Sequence, residues 1–116
     1  EKSTLNYLNE EALPELIASL EDFMRILKNK EDDREELDDC YRKINFIFGR
    51  LKDTEASNLS PCFYDIKAVV NLTNKYKIRT KGTSSLSDKE NTDISDTIYE
   101  TLEKLRGLEK ERLSNG

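Results

Sequence analysis

Apolar residues recur along this chain at three-and-four spacing, broken by polar stretches, and the pattern predicts four helices. From Asn9 onward Leu13, Leu16, Ile17, Leu20, Phe23, Met24 and Leu27 fall on one helical face. Asn9 is expected as the N-cap, Glu10 and Glu11 suit the positive end of the helix dipole, and Lys28 and Lys30 the negative end. Pro14 falls near the first turn, where a missing N–H costs least. The stretch from Thr4 to Leu8 predicts a short extra turn packed on top.

A second stripe runs through Leu37, Cys40, Tyr41, Ile44, Ile47, Phe48 and Leu51, with Asp32 and Asp33 as expected caps. The short acidic connection between the two stripes predicts an antiparallel hairpin. Ser60 followed by Pro61 spells an N-cap with proline at the first helical position. The third helix is expected to run to about Tyr76, turning Phe63, Ile66, Val69, Val70 and Thr73 inward, with Leu72 and Tyr76 at the margin.

Residues 77–91 turn to Lys, Ser, Thr, Gly and Asp, which predicts a long mobile loop. Beyond it Thr92 or Asp93 is expected to cap a last helix carrying Ile94, Ile98, Leu102, Leu105 and Leu108. The expected architecture is an all-α, four-helix bundle-like single domain. Leu20, Phe23, Ile44, Phe48, Ile66 and Val70, each mid-stripe, should share its core. The start at Glu1 without methionine and the polar end at Gly116 are those expected of a domain cut from a larger polypeptide.

Composition narrows the functional classes. Charged residues make up 37% and hydrophobic ones 35% of the 116 residues, but the strict patterning of the latter argues for a folded chain. No apolar run approaches the ~20 residues of a bilayer crossing, so no membrane role is expected, and the chain reads as intracellular, cytoplasmic or nuclear. There is no histidine, which removes the commonest neutral-pH base and metal ligand. With glycine only at Gly49, Gly82, Gly107 and Gly116, neither G-x-G-x-x-G nor a P-loop can be written.

Cys40 and Cys62 cannot supply a four-thiolate zinc site. Cys40 reads as a small core residue, while Cys62, in a first helical turn, is open to a dipole-lowered pKa. The acids Glu31, Asp32, Asp33, Glu35, Glu36, Asp38 and Asp39 lack the central glycine and the register of a calcium loop, and read as a solvated helix start. No enzyme, cofactor or metal is expected.

What remains is charge distribution. The net charge is −5, yet Leu59 to Gly82 holds one acid, Asp65, against five bases. Lys75, Tyr76, Lys77, Arg79 and Lys81 form a basic run that suits the end of a helix dipole and equally an anion-binding or partner-docking patch. Ser87 with Glu90 three residues on is both an acid-directed phosphorylation pattern and a capping-box spelling.

The order helix, Ser-Pro, helix, basic tail over residues 44–81 resembles the end of a helical-repeat domain of translation-initiation scaffolds, with no diagnostic residue and no site carried over. The expected function is a non-catalytic protein-interaction or scaffolding module that binds another protein, a helix or peptide, in a helical groove. The narrow row of Ile98, Leu102 and Leu105 is its expected contact surface, with self-association through the last helix as a variant. The alternative, disfavoured by net charge, is a nucleic-acid or phosphate contact through residues 75–81.

Overall fold

The structure, a computed structural model, describes residues 3–115. It is all-α, with helices α1 (Thr4–Glu10), α2 (Ala12–Asn29), α3 (Arg34–Lys52), α4 (Phe63–Lys75), α5 (Ile78–Lys81) and α6 (Asp88–Asn115), and a 3-10 turn, Ser60–Cys62, leading into α4.

Side-chain pairings fix the directions of the long helices. Arg25 reaches Glu36 across the α2–α3 turn, while Ala18 and Phe46, farther from it, line one cleft, so α2 and α3 run antiparallel. Arg79 meets Asp38 and Phe63 stacks on Phe48, which sets α3 antiparallel to the α4–α5 segment. Asp65 binds Lys104 while Tyr76 binds Asp93, so α4 and α6 are antiparallel too. Helix α6 closes the ring by packing back on α2, with Arg106 on Glu21. The result is an up-down-up-down bundle of α2, α3, α4 and α6.

The core follows the stripes the spacing predicts, except that Met24, Phe48, Phe63 and Leu108 are only partly buried. Leu20, Phe23, Ile44 and Ile66 are each 1% exposed and Val70 5%. Phe48 is only partly buried, because it sits at the α3–α4 seam, where its ring stacks on Phe63 at 5.3 Å instead of entering the centre. Besides Ala12 and Ile26 of α2, wholly buried side chains outside the predicted stripes include Leu8 on α1, Leu59 in the α3–α4 connection, and Ile78 on α5. Each of these last three closes an end of the bundle between the long helices.

Several expected caps shift. The N-cap of α2 is Glu11, without a side-chain bond, and Asn9 instead accepts the N–H of Asn58 at 2.8 Å, pinning the α3–α4 connection to α1. Asp33 does cap α3, accepting from the Glu36 N–H at 3.0 Å. Ser60 lies inside the 3-10 turn, and its hydroxyl donates to the Glu55 carbonyl at 2.7 Å rather than capping.

The stretch 77–91, expected as a loop, holds α5 and the first turn of α6. Lys77 adopts a left-handed conformation, φ 54°, that ends α4 and starts α5. Arg34 donates to the carbonyls of Thr80 and Lys81, and Asp32 accepts from the Ser84 N–H and hydroxyl. Thr83 and Leu86 are buried, the Thr83 hydroxyl donating to the Glu31 carbonyl. Helix α6 begins at Asp88, ahead of the expected Thr92 or Asp93. Ser87 caps it: its hydroxyl accepts the Glu90 N–H at 3.1 Å while the Glu90 carboxylate accepts the Ser87 N–H at 2.9 Å.

Candidate functional site

Helix α6 packs along α2 and α4 as one of the four long helices of the bundle. Ile98, Leu102 and Leu105, expected as contact residues, are 0%, 3% and 0% exposed, so they are core side chains and offer no surface to a partner. The narrow apolar row suffices because α6 packs chiefly on α2 and α4, and charged residues on its outer face need no cover.

The basic run divides. Arg79 is committed to the fold: its guanidinium binds Asp38 at 2.5 Å and lies over the Tyr41 ring at 4.3 Å, an arrangement that holds the Asp38 carboxyl below the usual carboxylate range. Tyr76 donates its hydroxyl to Asp93, which raises its pKa, and its ring carries the Lys75 ammonium at 5.7 Å. Lys75, Lys77 and Lys81 are exposed and make no ion pair with a described residue. Ser87 is exposed, with its hydroxyl engaged in the capping box.

Residues that the spacing did not single out extend this face along α4. Tyr64 is 76% exposed, and Lys67, one turn on, places its ammonium 6.0 Å from the ring centre. Phe63 meets Tyr64 edge-on at 5.1 Å and stacks on Phe48, over which Lys52 of α3 lies at 5.5 Å. The one acid of α4, Asp65, binds Lys104 of α6 at 2.9 Å. Helices α4 and α5 therefore carry Lys67, Lys75, Lys77 and Lys81 without an ion pair to a described residue, on a chain that is acidic overall, with Lys75 lining a cleft that also holds Asp88, Glu90, Asp93 and Asp96 of α6.

A readable signal for Tyr64 existed: it lies off the inward stripe of Ile66, Val69, Val70 and Thr73, and a large aromatic off-stripe must be exposed or find its own partner. Phe46 on α3, 50% exposed with Arg50 at 5.0 Å and Tyr7 edge-on, follows the same rule on another side of the bundle.

Both thiols are buried. Burial pushes Cys40 up to about 11, and burial with the Asp65 charge raises Cys62, so Cys62 is a packed thiol and the dipole does not lower it. Among the described residues no cluster of three or more His, Cys, Asp or Glu side chains has the geometry to hold a metal ion, and no helix is long and apolar enough to cross a membrane. Compared with known proteins, the chain matches no family model, no curated protein sequence and no solved structure.

Proposed function

We propose that the domain is a non-catalytic interaction module that binds another protein through the outer face of α4 and α5, supported by the adjoining end of α3. The observation that carries this reading is the set of lysines without an ion pair to a described residue, Lys67 beside the exposed Tyr64 at the start of α4 and Lys75, Lys77 and Lys81 at its far end and on α5, on an acidic chain. Charge that the fold does not consume is free to steer and orient an acidic partner. Aromatic side chains, with few rotatable bonds, are favoured anchors in protein interfaces.

The same lysines favour a second reading, contact with the phosphates of a nucleic acid. Net charge of −5 weighs against it, because counterion release is opposed by the field of the remaining acids.

The test compares the full chain with a variant carrying Lys67→Glu, Lys75→Glu and Lys81→Glu. Lys77 is left alone because its backbone is left-handed. Partners retained specifically by the wild type are expected to be lost from the variant, to survive nuclease, and to weaken only moderately between low and physiological salt. Undiminished capture by the variant would overturn the proposal. Loss on nuclease treatment with a steep salt dependence would replace it by the nucleic-acid reading.

A further inference from the structure

Where α3 ends and α4 begins, Leu51, Phe63 and Tyr64 line a surface notch of about 230 Å³, with Lys52 and Glu55 on the α3 side and Ser60 beneath. This is below the ~300 Å³ at which small-molecule pockets begin. A single bulky side chain suits it, and a whole ligand does not. Its walls are rings and an aliphatic side chain, while its polar rim is unequal. Lys52 lies over the Phe48 ring next to the notch and Lys67 over the Tyr64 ring, so two ammonium groups stand beside the aromatic wall, each held near its ring by cation–π attraction. Glu55 is the single acid among the lining residues, and neither Lys52 nor Lys67 pairs with it or with another described carboxylate.

We infer that the notch seats one bulky apolar side chain of an acidic peptide segment, whose carboxylates meet Lys52 and Lys67 and avoid Glu55. The inference rests on the reading of α4 as the contact face and narrows its partner to a segment combining negative charge with an apolar anchor. Charge complementarity selects the acids, and the volume selects one anchor. A nucleic acid would use the same lysines, and an oligothymidylate probe separates it from an acidic peptide.

The decisive experiment is an NMR titration of the ¹⁵N-labelled full chain with three probes: a short Asp/Glu peptide with one central Phe, the same peptide with Ala in its place, and an oligothymidylate of equal length. The Phe peptide is expected to shift the amides of Leu51, Phe63, Tyr64 and Lys67. Replacing its Phe by Ala should weaken binding about tenfold or more, the range for loss of a seated anchor. Tyr64→Ala should remove that difference, Lys67→Glu should weaken both peptides, and Glu55→Lys should strengthen both. Tyr64, Lys67 and Glu55 are exposed, so the variants are expected to keep the wild-type melting point, which is checked alongside.

Equal affinity of the Phe and Ala peptides, with shifts still confined to α4 and sensitive to Lys67→Glu, would overturn the anchored notch while leaving the α4 face as the contact surface. Absence of shifts on α4 with any probe would overturn both. Tighter binding of the oligothymidylate than of either peptide would overturn the acidic-peptide assignment in favour of nucleic acid.

Discussion

The carboxylate of Asp32 accepts the Ser84 hydroxyl at 2.5 Å and the Ser84 backbone N–H at 3.4 Å, tying the turn after α2 to the segment before α6. These bonds, with Arg34 nearby, hold the Asp32 carboxyl below its ordinary value. A carboxyl depressed in the folded state adds stability that is fully present above its unfolded-state pKa of about 4 and is lost as pH falls through the lower folded value. Asp32→Asn should therefore be less stable than wild type at neutral pH, and the gap should close in acid, below about pH 4. Thermal melts of both proteins across that range test this. A gap that persisted unchanged at low pH would mean that the ionised carboxylate contributes nothing.

Gly82 passes directly over the same carboxylate. Its φ is 84°, in the left-handed region, and a Cβ built there would run into Asp32 Oδ1. The segment can thus dock against α3 only with glycine at this point. Gly82→Ala should cost more than about 1 kcal/mol and loosen residues 83–87. In limited proteolysis the wild type should be cut slowly after Lys77, Arg79 and Lys81, and the variant quickly. Rapid cutting of the wild type at these sites would show that the hydrogen bonds around Asp32 and Arg34 are transient, and would restore the mobile loop that the composition of 77–91 suggests.

At Ser87 two readings of one pattern, cap and phosphorylation site, give different expectations. As the cap of α6, Ser87→Ala should cost about 1 kcal/mol, whereas Ser87→Asp, which still accepts the Glu90 N–H and places charge at the positive end of the helix, should be near neutral. Denaturant midpoints of the three proteins measure this. Equal stability of the alanine variant would remove the cap from the account of why α6 starts at Asp88 and not after Thr92 or Asp93.

What was legible in the sequence follows from what each residue responds to. The stripes of α2, α3, α4 and α6 are long enough for periodicity to fix their inward faces, and Leu20, Phe23, Ile44 and Ile66 sit where the spacing puts them. Ile78 and Leu86 were hidden, because a lone apolar residue among Lys, Ser and Thr has no period, and its burial depends on Asp32 and Arg34, some fifty positions away in the chain. The site was half legible. The basic run stands in the sequence, but that Arg79 is consumed by Asp38 while Lys67 is not is a matter of which helix lies opposite. Tyr64 escaped for the same reason as Phe46: an aromatic off its stripe says that it is exposed, and only the packing of α3 beside α4 says what stands next to it.

The place of α6 makes the strongest demand on the fold. A mobile loop before a narrow apolar row would let the last helix detach and leave a folded three-helix remainder. Against that, Ile94, Ile98 and Leu105 are wholly buried, Thr101 is 1% exposed, and α6 packs along both α2 and α4. Ion pairs bind it at three further points, Arg106 to Glu21, Lys104 to Asp65 and Lys30 to Asp88. The pairs are exposed and contribute at most about 1 kcal/mol each, so apolar burial decides the outcome. Truncating a single buried residue of this row, Ile98→Ala, should cost about 2–5 kcal/mol, a large part of the 5–15 kcal/mol typical of a whole domain. Removing residues 83–116 deletes the entire row and uncovers the faces of α2 and α4 that α6 packs on, a loss no three-helix remainder can absorb. The fragment ending at Gly82 is accordingly expected to show little helicity by circular dichroism and no cooperative melt, while the full chain melts in one transition. A fragment that stayed helical, cooperative and monomeric would show that α2, α3 and α4 hold a core among themselves, and would return α6 to the role of a detachable cover.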